Sequence, residues 1–236
     1  MVVSCLLPPA SCILHLASCF LLLALILPQC YNMSTPDEEI HDREGAVELK
    51  TLVFEKAGKH NTDATLRIAK ERALALGIKQ VVVASSHGYT ARKAHEVFAP
   101  AGIKVIAVTI CHGWESEGWT MPAETKAELQ KMGVIVHTGI HALGDGVGSA
   151  FSEKSGGRTP EEIVRDTLYR FCQGMKVTVE CVLMAADAGL LDVGQEVIAI
   201  AGTGDGADTA IVCKPAYPRT FHELEVREVL AKPRNP

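Results

Sequence analysis

The sequence predicts an α/β fold: a mainly parallel sheet with helices on both faces. Three observations predict it. Short continuous apolar runs, such as Val81 to Ala84 and Val105 to Val108, recur along the chain; strands buried on both faces read this way, whereas half-exposed strands alternate. Amphipathic helical segments separate these runs, the alternation expected when helices cover a parallel sheet. The runs also end in loops rich in Gly, hydroxyl, His or aromatic residues, the place where open parallel sheets bind ligands.

The elements follow in order. Val47 to Phe54 is the first expected strand. Thr62 to Leu76 is a helix with Leu66, Ala69, Ala73 and Leu76 on one face, Arg67, Lys70 and Glu71 outside, and Gly77 as its stop. Val81 to Ser85 is the second strand. Ala91 to Phe98 is the second helix, with Ala91, Ala94, Val97 and Phe98 on one face. Lys104 to Ile110 is the third strand. Pro122 to Met132 is a helix entered through proline and left at Gly133, and Val134 to His137 is a short fourth strand. Gly139 to Gly157 holds six glycines and reads as a long loop, functional or mobile. Thr159-Pro160-Glu161-Glu162 restarts a helix with a capping box, whose buried face is expected from Ile163, Val164, Leu168 and Phe171. Val177 to Leu190 is a strongly apolar helix, Glu196 to Ala201 and Ala210 to Cys213 are strands, and Glu223 to Leu230 is a last strand or short helix.

Residues 1–32 are a different material. They contain no Asp, Glu, Lys or Arg, and Ile13 to Leu27 is almost wholly apolar. A signal peptide would carry a basic start and a small-residue cleavage site, and a membrane span needs roughly 20 apolar residues; a start at Met33 is the third reading. The domain expectation is an apolar extension over 1–32 and a single domain over 33–236. Membrane association enters only if the extension is genuine and retained, in which case the protein is anchored or secreted; otherwise a cytoplasmic location is expected. The net charge of −5 and the lack of a basic run give no reason to expect nucleic acid.

Four of the eight cysteines lie in the first 32 residues, and none forms a CxxC pair. Cys181 and Cys213 sit in apolar runs and read as core thiols. Cys111, His112, His137 and His141 show no ligand spacing on one regular element, so no metal site is expected.

The chemistry is expected at five loops that a parallel sheet would crowd along one edge: Glu55 to Thr62, Ser85 to Thr90, Cys111 to Trp119, Thr138 to His141 and Gly202 to Ala207. The second is the most informative. An apolar strand meets Ser85-Ser86-His87-Gly88-Tyr89-Thr90 and a helix begins at once, so unpaired amides and the helix dipole form an anion site. Asn61 and Thr62 could cap the helix they precede. Trp114 and Trp119 could pack their own loop or stack on a flat ring. Gly202-Thr203-Gly204-Asp205-Gly206-Ala207 matches the dinucleotide fingerprint in letters only, because a strand follows where a helix should; its glycines let the main chain approach a ligand or turn a corner. Glu180 and Asp187 lie seven residues apart in an apolar helix, on one face, and a buried carboxylate there needs a partner or an altered pKa.

VVVASSHGYTARKAHEVFAPAGIKVIAVT, from Val81 to Thr109, is similar to the pyruvate kinase C-terminal domain. Closer still is a group of stand-alone proteins of this fold, mostly archaeal, with patterns like FEKAGKHNT, GIHAL, GGRTPEEI and KVTVECVLMAADAGLL, all present between Phe54 and Leu191. The resemblance implies a phosphate held by Ser85, Ser86, Gly88, Thr90 and Ala91, with the Gly202 to Thr209 loop as a second effector loop. It implies flavin mononucleotide as the best guess for the ligand, and no pyruvate kinase activity, since the catalytic barrel is not in this sequence. The expected site comprises Lys56, Asn61, Thr62, Ser85 to Ala91 (His87 and Tyr89 included), Thr109, His112, Gly113, Trp114, His141 and Gly202 to Gly206 (Thr203, Gly204 and Asp205 included). His87-Gly88-Tyr89 stands where many members have Thr-Gly and then another residue, and Tyr89 could stack on a ring or block one. Two alternatives stay open: a flavin-dependent oxidoreductase or isomerase with Glu180 or His141 as acid or base, and a regulatory module that binds a sugar phosphate and changes homo-oligomer contacts.

Overall fold

The computed structural model describes residues 47–235. The extension over 1–32 lies outside the described residues. The unit from Lys50 onward carries seven strands: β1 Leu52–Phe54, β2 Gln80–Ala84, β3 Lys104–Thr109, β4 Ile135–Thr138, β5 Val197–Ala201, β6 Thr209–Lys214 and β7 Glu225–Pro233. The helices are α1 Thr62–Leu76, α2 Tyr89–Phe98, α3 Ala123–Lys131, α4 Val147–Ser155, α5 Pro160–Leu168 and α6 Gln173–Asp187.

All seven strands form one sheet in the order β1-β7-β6-β5-β2-β3-β4. Pairing is parallel throughout except on either side of β6, which runs against β5 and β7. The fold is the mainly parallel α/β class that the sequence predicts. Its continuous apolar strands feed two cores in alternation. Val81, Val83, Ile198 and Ile200 face Leu66, Ala69, Ala73, Ala94, Phe98 and Leu129 of α1, α2 and α3. Val82, Val197 and Ala199 face Met175, Val179, Val182 and Leu183 of α6. Each strand residue therefore meets apolar neighbours on whichever face it points to, which is why no polar alternation marks these strands.

Several expected boundaries move. β1 covers Leu52 to Phe54, not Val47 to Phe54; it is an edge strand paired only with β7, and Val47 and Leu49 are exposed. A local apolar pattern does not extend a strand where no ladder partner runs beside it. The segment Gly139 to Gly157 contains α4, so it is not one uninterrupted loop. In α5 the capping box is present, Thr159 Oγ1 accepting from Glu162 N and Glu162 returning to Thr159 N. The expected buried face of α5 is corrected. Val164 and Leu168 pack against the α6 core, but Ile163 is 57% and Phe171 52% exposed. The buried first-turn residue is Glu162, committed to the cap and to Ser152 Oγ. The helix expected over Val177 to Leu190 begins at Gln173, where Cys172 Sγ accepts from Met175 N, an unusual cap that sequence rules do not flag. It ends at Asp187, before Gly189 in a left-handed turn. The last element resolves as strand β7. Among the described residues, no helix is long and apolar enough to cross a membrane.

Candidate functional site

The strand order sets the place. β2 pairs with β3 on one side and β5 on the other: the chain runs outward from β2 through β3 to β4, then crosses back to place β5 on the opposite side of β2, so the strand order reverses between β2 and β5. A crevice at the carboxyl ends of two such strands is where open α/β sheets take ligands. The β2–α2 turn, Ser85 to Gly88, and the β5–β6 loop, Gly202 to Asp208, stand at those two strand ends.

The β2–α2 turn is built by three constraints. Ser85 N donates to Val108 O, tying the turn to β3, and Ser85 Oγ accepts from Ala91 N, back in the first turn of α2. Gly88 caps α2 with φ 88°, a left-handed conformation; a Cβ there would stand 2.5 Å from Thr125 Cγ2. Arg92 N closes on Gly88 O. Among the described residues, that leaves Tyr89 N and Thr90 N without a protein acceptor, as expected for the first amides of a helix. Thr90 and Ala91 are buried, Ser86 and Tyr89 half-buried and His87 exposed. His87 Nε2 reaches Gly118 O at 3.2 Å, linking this turn to the loop after β3.

The loop after β1 joins from the other side. Lys59 Nζ lies 2.7 Å from Asp205 Oδ2 and 4.0 Å from the centroid of the Tyr89 ring, so one ammonium touches both loops at the switch point. Lys59 holds the Asp205 carboxyl below its usual range by hydrogen bonding. Lys59, not Lys56, is thus the lysine between the loops; Lys56 is exposed, and its carbonyl accepts from Asn61 Nδ2. Asn61 and Thr62 are buried and internally engaged. Thr62 Oγ1 donates to Lys59 O and accepts from Ala207 N. The glycines of the β5–β6 loop serve the corner: a Cβ on Gly206 would meet Lys59 Cα at 2.5 Å and Thr62 Oγ1 at 2.6 Å. A strand follows that loop, as the rejection of the dinucleotide fingerprint requires.

Asp208 organises this group and is not among the residues that the sequence singles out. Fully buried, it accepts from Gly58 N at 2.9 Å, Thr203 N at 3.1 Å and Thr209 Oγ1 at 2.8 Å. The available signal was an acid placed directly before an apolar strand, where only a fully satisfied carboxylate survives burial. Thr203 Oγ1 is a buried hydroxyl with no partner among the described residues.

The loops after β3 and β4 form a second group. Trp114 Nε1 donates to Asp145 Oδ2 at 2.9 Å, His141 Nδ1 lies 2.5 Å from the same oxygen, and Cys111 Sγ lies 3.7 Å from it. Trp114 and Trp119 stack on each other with centroids 5.0 Å apart, which is the packing reading of the two indoles. His112 and Gly113 are exposed beside them, and Thr109 Oγ1 pairs with Thr138 Oγ1 at 2.7 Å where β3 and β4 end. Burial pushes the Cys111 thiol up from its ordinary pKa.

Glu180 is buried and paired. Its Oε2 lies 2.5 Å from Lys176 Nζ, and its Oε1 accepts from Leu143 N at 3.1 Å. It therefore locks the loop after β4 to α6. Asp187 lies at the exposed end of α6 and does not share that environment. Beside β4 a cavity of about 440 Å³ is lined by His137, Ile140, His141, Glu161, Met184 and Asp187 among others. Of the expected site residues only His141 reaches it. Burial, then the charge of Lys126, lower the His137 pKa below its ordinary value, with Asp187 opposing.

The family model described as pyruvate kinase, alpha/beta domain, matches residues 63–213, from the first turn of α1 to the end of β6, so both loops at the switch point fall inside it. Among solved structures, a pyruvate kinase from Cryptosporidium parvum is similar at 16% identity, over 59% of this chain and 20% of that chain, with a TM-score of 0.30. This chain thus spans only a small part of that enzyme.

Proposed function

This chain belongs to the pyruvate kinase alpha/beta domain family, and from that premise we propose that it binds a phosphorylated small molecule at the β2/β5 switch point, flavin mononucleotide being the ligand to test first. The observation that carries this reading is the β2–α2 turn. Gly88 presents the Tyr89 and Thr90 amides at a helix start, and the Lys59 ammonium lies against Tyr89. A helix dipole and two unpaired amides suit a phosphate, and Lys59, now paired with Asp205, could turn to it. Ser86 and Thr90 would add hydroxyl donors. The β5–β6 loop would face the sugar-like part of the ligand.

The test is an absorption spectrum of the purified full chain, with mass analysis of anything released on denaturation, followed by titration with flavin mononucleotide. A flavin spectrum, or saturable uptake that weakens in Ser86→Ala and Thr90→Ala, supports the reading. Unchanged affinity in both variants sinks it. A chain that takes up no flavin but binds a sugar phosphate at the same turn would keep the anion site and change the ligand.

A further inference from the structure

We propose that Cys111, His141 and Asp145 form a site for a transition-metal dication of the zinc class, separate from the anion turn. The three side chains come from two loops, after β3 and after β4, and offer a sulfur, an imidazole nitrogen and a carboxylate oxygen, all within 4.8 Å of one another. Soft and borderline donors in this mixture select zinc-like ions over magnesium or calcium, which take oxygen alone.

The arrangement is convergent. In a nucleophile–histidine–acid relay the sulfur would address the imidazole. Here Cys111 Sγ addresses Asp145 Oδ2, the oxygen that His141 Nδ1 also reaches. Around a tetrahedral ion with ordinary bond lengths, sulfur and oxygen ligands stand about 3.5 Å apart and nitrogen and oxygen ligands about 3.3 Å apart. The 3.7 Å sulfur–oxygen separation already fits, and the 2.5 Å nitrogen–oxygen contact has to open by less than about 1 Å.

The surroundings hold the ligands in place. Leu143, between His141 and Asp145 in the chain, is fixed through its amide to the buried Glu180–Lys176 pair. Gly144 N bonds back to His141 O. Asp145 is the one non-glycine residue among those described with a positive φ, 60°. Trp114 Nε1 supplies the hydrogen bond to the ligating carboxylate that metal sites generally carry in their outer shell. Three protein ligands leave a fourth position for water or a substrate atom. His141 also lines the cavity beside β4, so there is space next to the ion for a small molecule. Binding converts the Cys111 thiol to thiolate, with its proton released to solvent.

The experiment uses the reduced full chain, stripped with a chelator and titrated anaerobically with cobalt(II). Expected are a thiolate-to-cobalt charge-transfer band and the intense visible bands of four-coordinate cobalt, both abolished by competing zinc. The charge-transfer band should vanish in Cys111→Ser. Affinity should fall by more than about tenfold in His141→Ala and Asp145→Asn, and by about tenfold in Trp114→Phe, which keeps every ligand. Should Cys111→Ser fail to fold, as judged by circular dichroism, Trp114→Phe and His141→Ala decide alone. No charge-transfer band in the wild type, or cobalt spectra unchanged by these variants, overturns the proposal.

Discussion

The two ends of the ligand edge solve the problem of buried polar groups in opposite ways. At the β1, β2 and β5 end, side chains are spent on the backbone. Asp208 takes three donors, Thr62 bridges Lys59 O and Ala207 N, and Ser85 caps Ala91 N. What remains for a ligand is main-chain N–H at a helix start, a positive field. At the β3 and β4 end, the backbone is tied off by Glu180, and the side chains of Cys111, His141 and Asp145 converge on one another. What remains there is a set of lone pairs. On the two proposals above, the same sheet edge would hold an anion at one end and a cation at the other, according to whether amides or side chains are left over.

The comparison breaks most severely at the lock. Glu180→Ala leaves the buried Lys176 amine without its carboxylate partner, and should cost about 3–5 kcal/mol in urea denaturation. The double variant Lys176→Met with Glu180→Leu should recover much of that loss while loosening cobalt binding, because Leu143 loses its acceptor. Asp208→Ala orphans three donors at the other end and should cost about 3 kcal/mol. It should weaken flavin mononucleotide binding and leave the cobalt spectrum intact. Gly88→Ala pays about 1–2 kcal/mol for a left-handed alanine and meets Thr125, so it too should lose the phosphate ligand and keep cobalt. Equal damage to both ligands by either variant would erase the distinction between the ends.

The smallest effect is one of pH. His137 has a folded pKa below its ordinary 6.5, chiefly from burial. The unfolded chain then takes up a proton more readily than the folded one. The histidine's contribution to stability is full above 6.5 and declines as the pH falls toward the lowered folded value. Thermal melts of His137→Gln should show a flatter decline over that acid window than the wild type, with no difference at higher pH.

Much of this was legible in the sequence because it depends on local pattern. Val81 to Ala84, Ser85 to Thr90 and the helix from Ala91 onward can be read from their residues, since strand burial and helix starts leave residue-type signatures. The five loops gather as expected once the sheet is parallel. What stayed hidden depends on pairings between distant residues. Lys59 and Asp205 are 146 residues apart, and Asp208 meets Gly58 across 150. Asp145 reads as one more residue in a glycine-rich stretch, and only the fold sets Cys111, 34 positions earlier, against it. Ile163 and Phe171 fit a helical stripe as well as Val164 and Leu168 do, and only the position of α6 decides which of them is covered.

The most direct measurement compares the affinity of the full chain for flavin mononucleotide and for riboflavin, which differ by the phosphate alone. If the β2–α2 turn seats that phosphate, charge-assisted hydrogen bonds of about 1.5–3 kcal/mol should make flavin mononucleotide bind roughly 10- to 100-fold tighter, and Gly88→Ala should remove the difference. Equal affinity for the two flavins, or a preference that survives Gly88→Ala, would contradict the assignment.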